Sequence, residues 1–304
     1  MQTGYFNAAW RDIKNSPGWF GKLLVLALVS IIPIFGWIVV AGYLYGWARD
    51  LAWGVHAPLP AHVFGNEDGT LYSRGFFVIV IGFVCSLIPW AVEVVASFAV
   101  GGYAWSDWSF YGGFLSFPLG MASGIFGLAF FVLSLAAGFF AMFFYWVGSM
   151  RTSIYGRLSA GFQIGKIWSM IRHDFGGILR ILGMYLLLLI IMSAVIMVLV
   201  MMVVFLFLAI GLFATGGNMN INARPDAAVM GMAFAVGSVV VLIMVVVGFI
   251  SLVVSVFATM MVTRALGYWT QQFDVPAWRG QDDPMPFELS SMPDGFGQQP
   301  PMPR

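Results

Sequence analysis

Among the residues that could do chemistry, Glu93 stands most alone. It is the only charged side chain in the apolar runs 23–48, 75–106, 108–150, 181–223 and 227–263. It follows Pro89 by four positions, and a proline removes one helical hydrogen bond. A carboxylate held charged in lipid costs roughly 2.5–3.5 kcal/mol, so it must face a bundle interior, carry a proton or find a partner. One reading is a proton or cation site beside a loosened helix. The other is a protonated carboxyl bonded to a neighbouring helix, or a residue near the headgroups. Ser251, Ser255 and Thr259 recur at four-residue spacing and line one helix face. With Glu93 they form the candidate intramembrane polar site, although small residues so spaced also serve close helix packing. Ser116, Gly120 and Gly124 repeat the spacing in an earlier run.

The remaining candidates are weaker. His56 and His62 precede Glu67 and Asp68 in one loop, without the compact ligand spacing of a zinc site. A solvated loop accounts for them, and His173-Asp174 reads as a polar turn. Met192, Met197, Met201 and Met202 share a run. Thioethers suit Cu(I), but with no Cys or His beside them these read as flexible packing. No Ser/His/Asp grouping, glycine-rich phosphate loop or pair of acids has supporting context. No catalytic residue, metal ligand or cofactor is therefore expected.

The elements that must position these residues follow from composition. The 304 residues are 61% apolar and 9% charged, against near half and about a quarter in soluble domains. Each apolar run is long enough for a span of roughly 20 residues. The net charge of +1 gives no basic face for nucleic acid. Cys85 is the single cysteine, so no intramolecular disulfide forms. No small-residue cleavage site follows the first apolar stretch, and no leader cleavage is expected.

Residues 4–15 put Tyr5, Phe6, Ala9, Trp10 and Ile13 on one face and Arg11, Asp12 and Lys14 on the other, which predicts an interfacial amphipathic helix. Ser16-Pro17-Gly18 ends it. The run 22–53 is broken at Pro33 and Gly36, leaving a first arm too short to cross a hydrocarbon core of about 30 Å. A re-entrant hairpin divides Arg and Lys 13 to 1 across the membrane, with Arg224 alone outside. A single kinked span, with 113–149 re-entrant instead, divides them 11 to 3. The positive-inside rule favours the hairpin, and both arrangements put both termini in the cytoplasm. Spans are expected at 75–103, about 117–149, 179–213 and 228–263. Between them, 104–116 is an aromatic interfacial segment and 215–226 an outward loop. From Asp274 the chain carries seven prolines and is expected to be a disordered cytoplasmic tail, 274–304.

The expected fold is all-α: a polytopic transmembrane helical bundle of about four full spans, a Pro/Gly-broken re-entrant hairpin and two interfacial amphipathic helices, in one membrane domain, 1–273. Two echoes run through it. Trp10, Ile13, Lys14, Gly18, Lys22 and Leu24 match Trp168, Ile171, Arg172, Gly176, Arg180 and Leu182 at an offset of 158, and Arg151-x-x-x-Tyr155 matches Arg264-x-x-x-Tyr268. Duplication would give pseudo-repeated halves, 1–157 and 158–273, while shared interfacial physics gives the same patterns.

The ordered series Ser30-Ile31-Ile32-Pro33-Ile34-Phe35-Gly36-Trp37, Gly42-Tyr43, Trp47-Ala48-Arg49, Leu59-Pro60 and Gly75 resembles the family called domain of unknown function 4013. Phe162 to Trp168 extends the likeness more loosely. The resemblance implies a prokaryotic multispan membrane protein and brings no activity, ligand or site residue with it. A plasma-membrane protein without enzymatic activity, either a transport component or a scaffold, is expected. The alternative is a lipid-binding or lipid-modifying enzyme at the cytoplasmic interface, using the basic residues of 151–180. The expected partners are the lipid bilayer and other membrane proteins or further copies of the chain.

Overall fold

The computed structural model describes residues 4–66, 68–99, 125–214 and 227–289, and among them all regular structure is helical. The helices are α1 (Tyr5–Asn15), α2 (Trp19–Ser30), α3 (Phe35–Ala52), α4 (Leu71–Ala99), α5 (Ile125–Tyr155), α6 (Ile164–His173), α7 (Phe175–Ala214) and α8 (Ala227–Gln271), followed by the short α9 (Pro286–Leu289). Four of them, α4, α5, α7 and α8, are long and apolar enough to cross a membrane. The chain is a polytopic helical bundle. The helices α7 and α8, with 40 and 45 residues, rise about 60 Å or more at 1.5 Å per residue. They must tilt, or extend beyond the hydrocarbon.

The break at 31–34 makes a tight hairpin of α2 and α3. Trp37 donates its indole N–H to the Ser30 carbonyl at 3.1 Å across the turn, and Ile34 takes a positive φ of 63°. Gly36 has no alternative here, because a Cβ would run into the Val29 carbonyl. The open ends of the hairpin meet: the Leu59 N–H donates to Ser16 Oγ at 3.0 Å, and Lys22 Nζ donates to the Leu59 carbonyl at 2.9 Å. The chain thus returns to the level where α2 began. Further along, α3 crosses α4 at Gly42 and Gly75, with the backbones so close that a Cβ on Gly75 would strike the Ile38 carbonyl. Small residues permit that approach.

The amphipathic helices α1 and α6 each bury one face against the bundle. In α1, Ala9 and Ile13 are fully buried, packed into the shared core with α8. Sequence pattern alone gives an apolar face without saying whether lipid or protein covers it. Residues 275–289, within the segment expected to be disordered, pack on the bundle. Val275 and Met285 are buried, and Trp278 and Phe287 pack against the core. Four apolar anchors spaced along a proline-rich segment suffice to seat it, although no periodicity announces them.

Candidate functional site

Among the described residues, two arginines are the largest fully buried charged side chains, and each lies near the end of a long apolar helix. Arg264, near the end of α8, donates Nε to Asp12 Oδ2 on α1 at 2.7 Å and Nη1 to the Trp47 carbonyl of α3 at 3.1 Å. Its guanidinium lies over the Trp47 ring, 4.1 Å from the centroid. Tyr268, one turn on, donates to the same Asp12 oxygen at 2.8 Å. Arginine's planar fork suits this arrangement of a carboxylate at the edge and an aromatic face above.

Arg151, near the end of α5, repeats the pattern. Tyr155 lies one turn on, with the guanidinium 5.3 Å from its ring centroid and 5.7 Å from that of Trp278. Nε donates to the Ala160 carbonyl at 3.2 Å and Nη2 to Gln163 Oε1 at 2.6 Å. Nη1 faces the sulfurs of Met170 and Met285, each at 3.9 Å. Met170 stands in α6 where the 158-residue echo places Asp12 in α1. The two sites therefore use corresponding positions, with an acid in one and a thioether in the other.

A third cluster joins the loop before α4 to the hairpin. Arg74, nearly fully buried, donates to the Gly42 carbonyl at 3.2 Å, to Thr70 Oγ1 at 2.5 Å and to the Asp68 carboxylate. Arg49 pairs with Asp68 at 3.1 Å. Partial burial pushes the Asp68 carboxyl up, but its bonds to Arg74 and Thr70 prevail and hold it well below the carboxylate range. Asp174 accepts from Gln272 at 2.6 Å and from the Gly177 N–H at 3.0 Å, tying the start of α7 to the end of α8.

The chain after α8 completes this end. Glu288 accepts from Lys166 Nζ at 2.9 Å and from Ser169 Oγ at 2.6 Å, both on α6. Asp282 accepts from Gln163 Nε2 at 2.5 Å. Burial raises the Glu288 carboxyl, but the bonds from Ser169 and Lys166 outweigh it and leave the group lowered.

Of the four residues of the polar site expected from sequence, Glu93 stands on α4 and Ser251, Ser255 and Thr259 on α8. Glu93 lies on an exposed face of α4. On α8, the Ser251 hydroxyl donates to the Val247 carbonyl at 2.8 Å, and Thr259 donates to the Ser255 carbonyl at 2.9 Å. Such back-bonding spends the hydroxyl on its own helix. Among the described residues no three His, Cys, Asp or Glu side chains converge on a metal position. His56 contacts the Gly54 carbonyl, and His173 stacks on Phe287 with ring centroids 4.4 Å apart. Glu67, the stripe Ser116, Gly120, Gly124 and the loops 104–116 and 215–226 lie outside the described residues. Sequence reasoning passed over Arg151 and Arg264 as sites, although the repeated Arg-x-x-x-Tyr was the signal for them.

Residues 25–206, more than half of the chain, match the family described as protein of unknown function (DUF4013). The chain belongs to the DUF4013 family. The matched region runs from within α2 into α7, so it includes Glu93 and Arg151. Asp12, Arg264 and the segment after α8 lie outside the DUF4013 match. No curated protein and no solved structure matches the chain.

Proposed function

We propose that this DUF4013 protein is a non-enzymatic, multi-pass scaffold of a prokaryotic plasma membrane, with both termini in the cytoplasm and α2–α3 as a re-entrant hairpin. The observation that carries the reading is the gathering of ion pairs. Asp12–Arg264 joins α1 to the end of α8, Asp68 pairs with both Arg49 of the hairpin arm α3 and Arg74 at the start of α4, and Lys166–Glu288 joins α6 to α9, all at one end of the bundle. Away from that end, α7 and α8 expose long apolar surfaces suited to lipid. The contact of Ser16 with Leu59 supports the re-entrant hairpin, as does the length of α2, whose 12 residues rise about 18 Å. The bilayer is the first partner; other membrane proteins or further copies of the chain are the others. The two arginine sites support a duplication of halves 1–157 and 158–273, with the first helix of each half closing the last helix of the other.

A transport role is the second reading, and Glu93 with Ser251, Ser255 and Thr259 would be its polar site. Purified protein in liposomes decides between them. The scaffold reading expects proton and cation flux no greater than in empty liposomes, for wild type and Glu93→Gln alike. A flux present in wild type and abolished by Glu93→Gln replaces it with the transporter.

A further inference from the structure

Arg151 is fully buried, yet every hydrogen-bond acceptor around it is neutral: two carbonyls, an amide oxygen and two thioethers. Among the described residues no carboxylate lies within ion-pairing reach of it. Its counterpart Arg264 has Asp12 at 2.6 Å. Glu288 and Asp282 balance the Arg151 charge only at longer range, and a buried charge without a direct counter-charge is costly.

What covers Arg151 is the strap from Gln281 to Leu289. The Gln281 carbonyl accepts from Nη2 at 3.2 Å, and Met285 is the only buried side chain of the strap. The strap's carboxylates already sample the surface beside the guanidinium. Glu288 takes an ammonium and a hydroxyl from α6, at Lys166 and Ser169, and Asp282 takes the Gln163 amide. Lys166 and Met170 lie one turn apart on a single face of α6, so the cation held by Glu288 and the thioether facing Arg151 are neighbours. On the outer side of α6, Ile164 and Trp168 are exposed, which suits a membrane interface.

We propose that Arg151, Lys166 and Ser169 form a binding site for a phosphate-class anion, and that the strap is its displaceable cover. A phosphate oxygen would take the place of the Gln281 carbonyl at Arg151, and others the place of Glu288 at Lys166 and Ser169. Arginine and lysine with a hydroxyl are suited to phosphate. The anion is a phospholipid headgroup or free phosphate; the lipid source rests on the proposed membrane location and on exposed Ile164 and Trp168 facing the interface, and the site itself does not.

The test reads strap release in the full chain. With Cys85 replaced by serine, Met285→Cys places a thiol that is shielded while the strap is seated. Its reaction with a membrane-impermeant maleimide is followed in detergent with inorganic phosphate, in detergent with chloride at equal ionic strength, and in nanodiscs of phosphatidylglycerol or phosphatidylcholine. Trypsin cleavage after the exposed Arg279 gives the same readout in the unaltered chain. The expected result is a severalfold rise with phosphate over chloride and with phosphatidylglycerol over phosphatidylcholine. Met170→Asp, which gives Arg151 its own acid, should abolish the rise. A rise with phosphate and none with the anionic lipid keeps the site and removes the interfacial placement. Equal rates in phosphate and chloride, by either readout, overturn the proposal.

Discussion

Asp12 and Arg264 are 252 residues apart in the chain and within 2.6 Å in the fold. The first amphipathic helix is thereby clamped to the end of the last spanning one. Arg264 is almost wholly buried and Asp12 mostly so, so the pair is strong when intact and costly when halved.

Asp12→Ala should lower stability by about 3 kcal/mol, the lower end for removing one partner of a buried pair. The loss comes chiefly from the unpaired guanidinium. Asp12→Ala with Arg264→Met should recover much of it, because the second change removes the orphaned charge. Thermal unfolding in detergent measures both, and a double variant no more stable than the single one would contradict the account.

The strap makes an opposite case to the one composition suggests. Removing 280–304 takes away Met285, Asp282 and Glu288 together, and should lower the melting temperature by several degrees. Met285→Ala alone should cost about 2 kcal/mol, as for a buried methionine. An unchanged melting temperature for both would mean the segment only rests on the bundle.

Glu288 gives the strap a pH dependence. Its carboxyl is lowered in the fold, so its contribution is fully present above the unfolded value of about 4.3 and is lost as pH falls through the lower folded value. Hydrogen exchange of the 280–289 amides, corrected for its intrinsic pH dependence, should therefore accelerate as pH falls below the usual carboxylate range. Glu288→Gln should be as open at neutral pH as wild type is in acid.

Much of this architecture is legible in residue order. Long runs with at most one charge mark α4, α5, α7 and α8, and Pro33 with Gly36 marks the hairpin turn, because lipid and backbone geometry act locally. The partners of α1 and of the strap are not legible. Ala9 and Ile13 have the same spacing whether lipid or α8 covers them, and Val275 and Met285 are ten residues apart with no period between. The candidate site was half visible: the two Arg-x-x-x-Tyr sequences repeat, but only the fold shows that Asp12 serves one arginine and Met170 the other. Glu93 drew notice for its charge alone, and charge does not say which face of α4 it occupies.

Orientation follows from cysteine labelling in a Cys85→Ser background. Ser73, exposed at the start of α4, should react from the cytoplasmic side, and a cysteine at Asn218 from the opposite side. Both positions reacting from one side, or Ser73 from outside, would reject the re-entrant hairpin.

The crossing of α3 and α4 offers the sharpest packing test, since it depends on the absence of a single atom. A Cβ at Gly75 would overlap the Ile38 carbonyl and crowd the Gly42 amide, and both are backbone groups that cannot swing aside. Gly75→Ala gains helix propensity of about 1 kcal/mol, so an unstrained site would become more stable. Here the helices must separate, and overpacking costs roughly 1–3 kcal/mol, more where backbone meets backbone. The net effect should be a loss, and Arg74, which donates to Gly42 from the next position, should move with α4. Gly183→Ala, at a helical glycine of α7 with open space around it, serves as the control and should be neutral or stabilising. If Gly75→Ala behaves like the control, α3 and α4 are not in backbone contact.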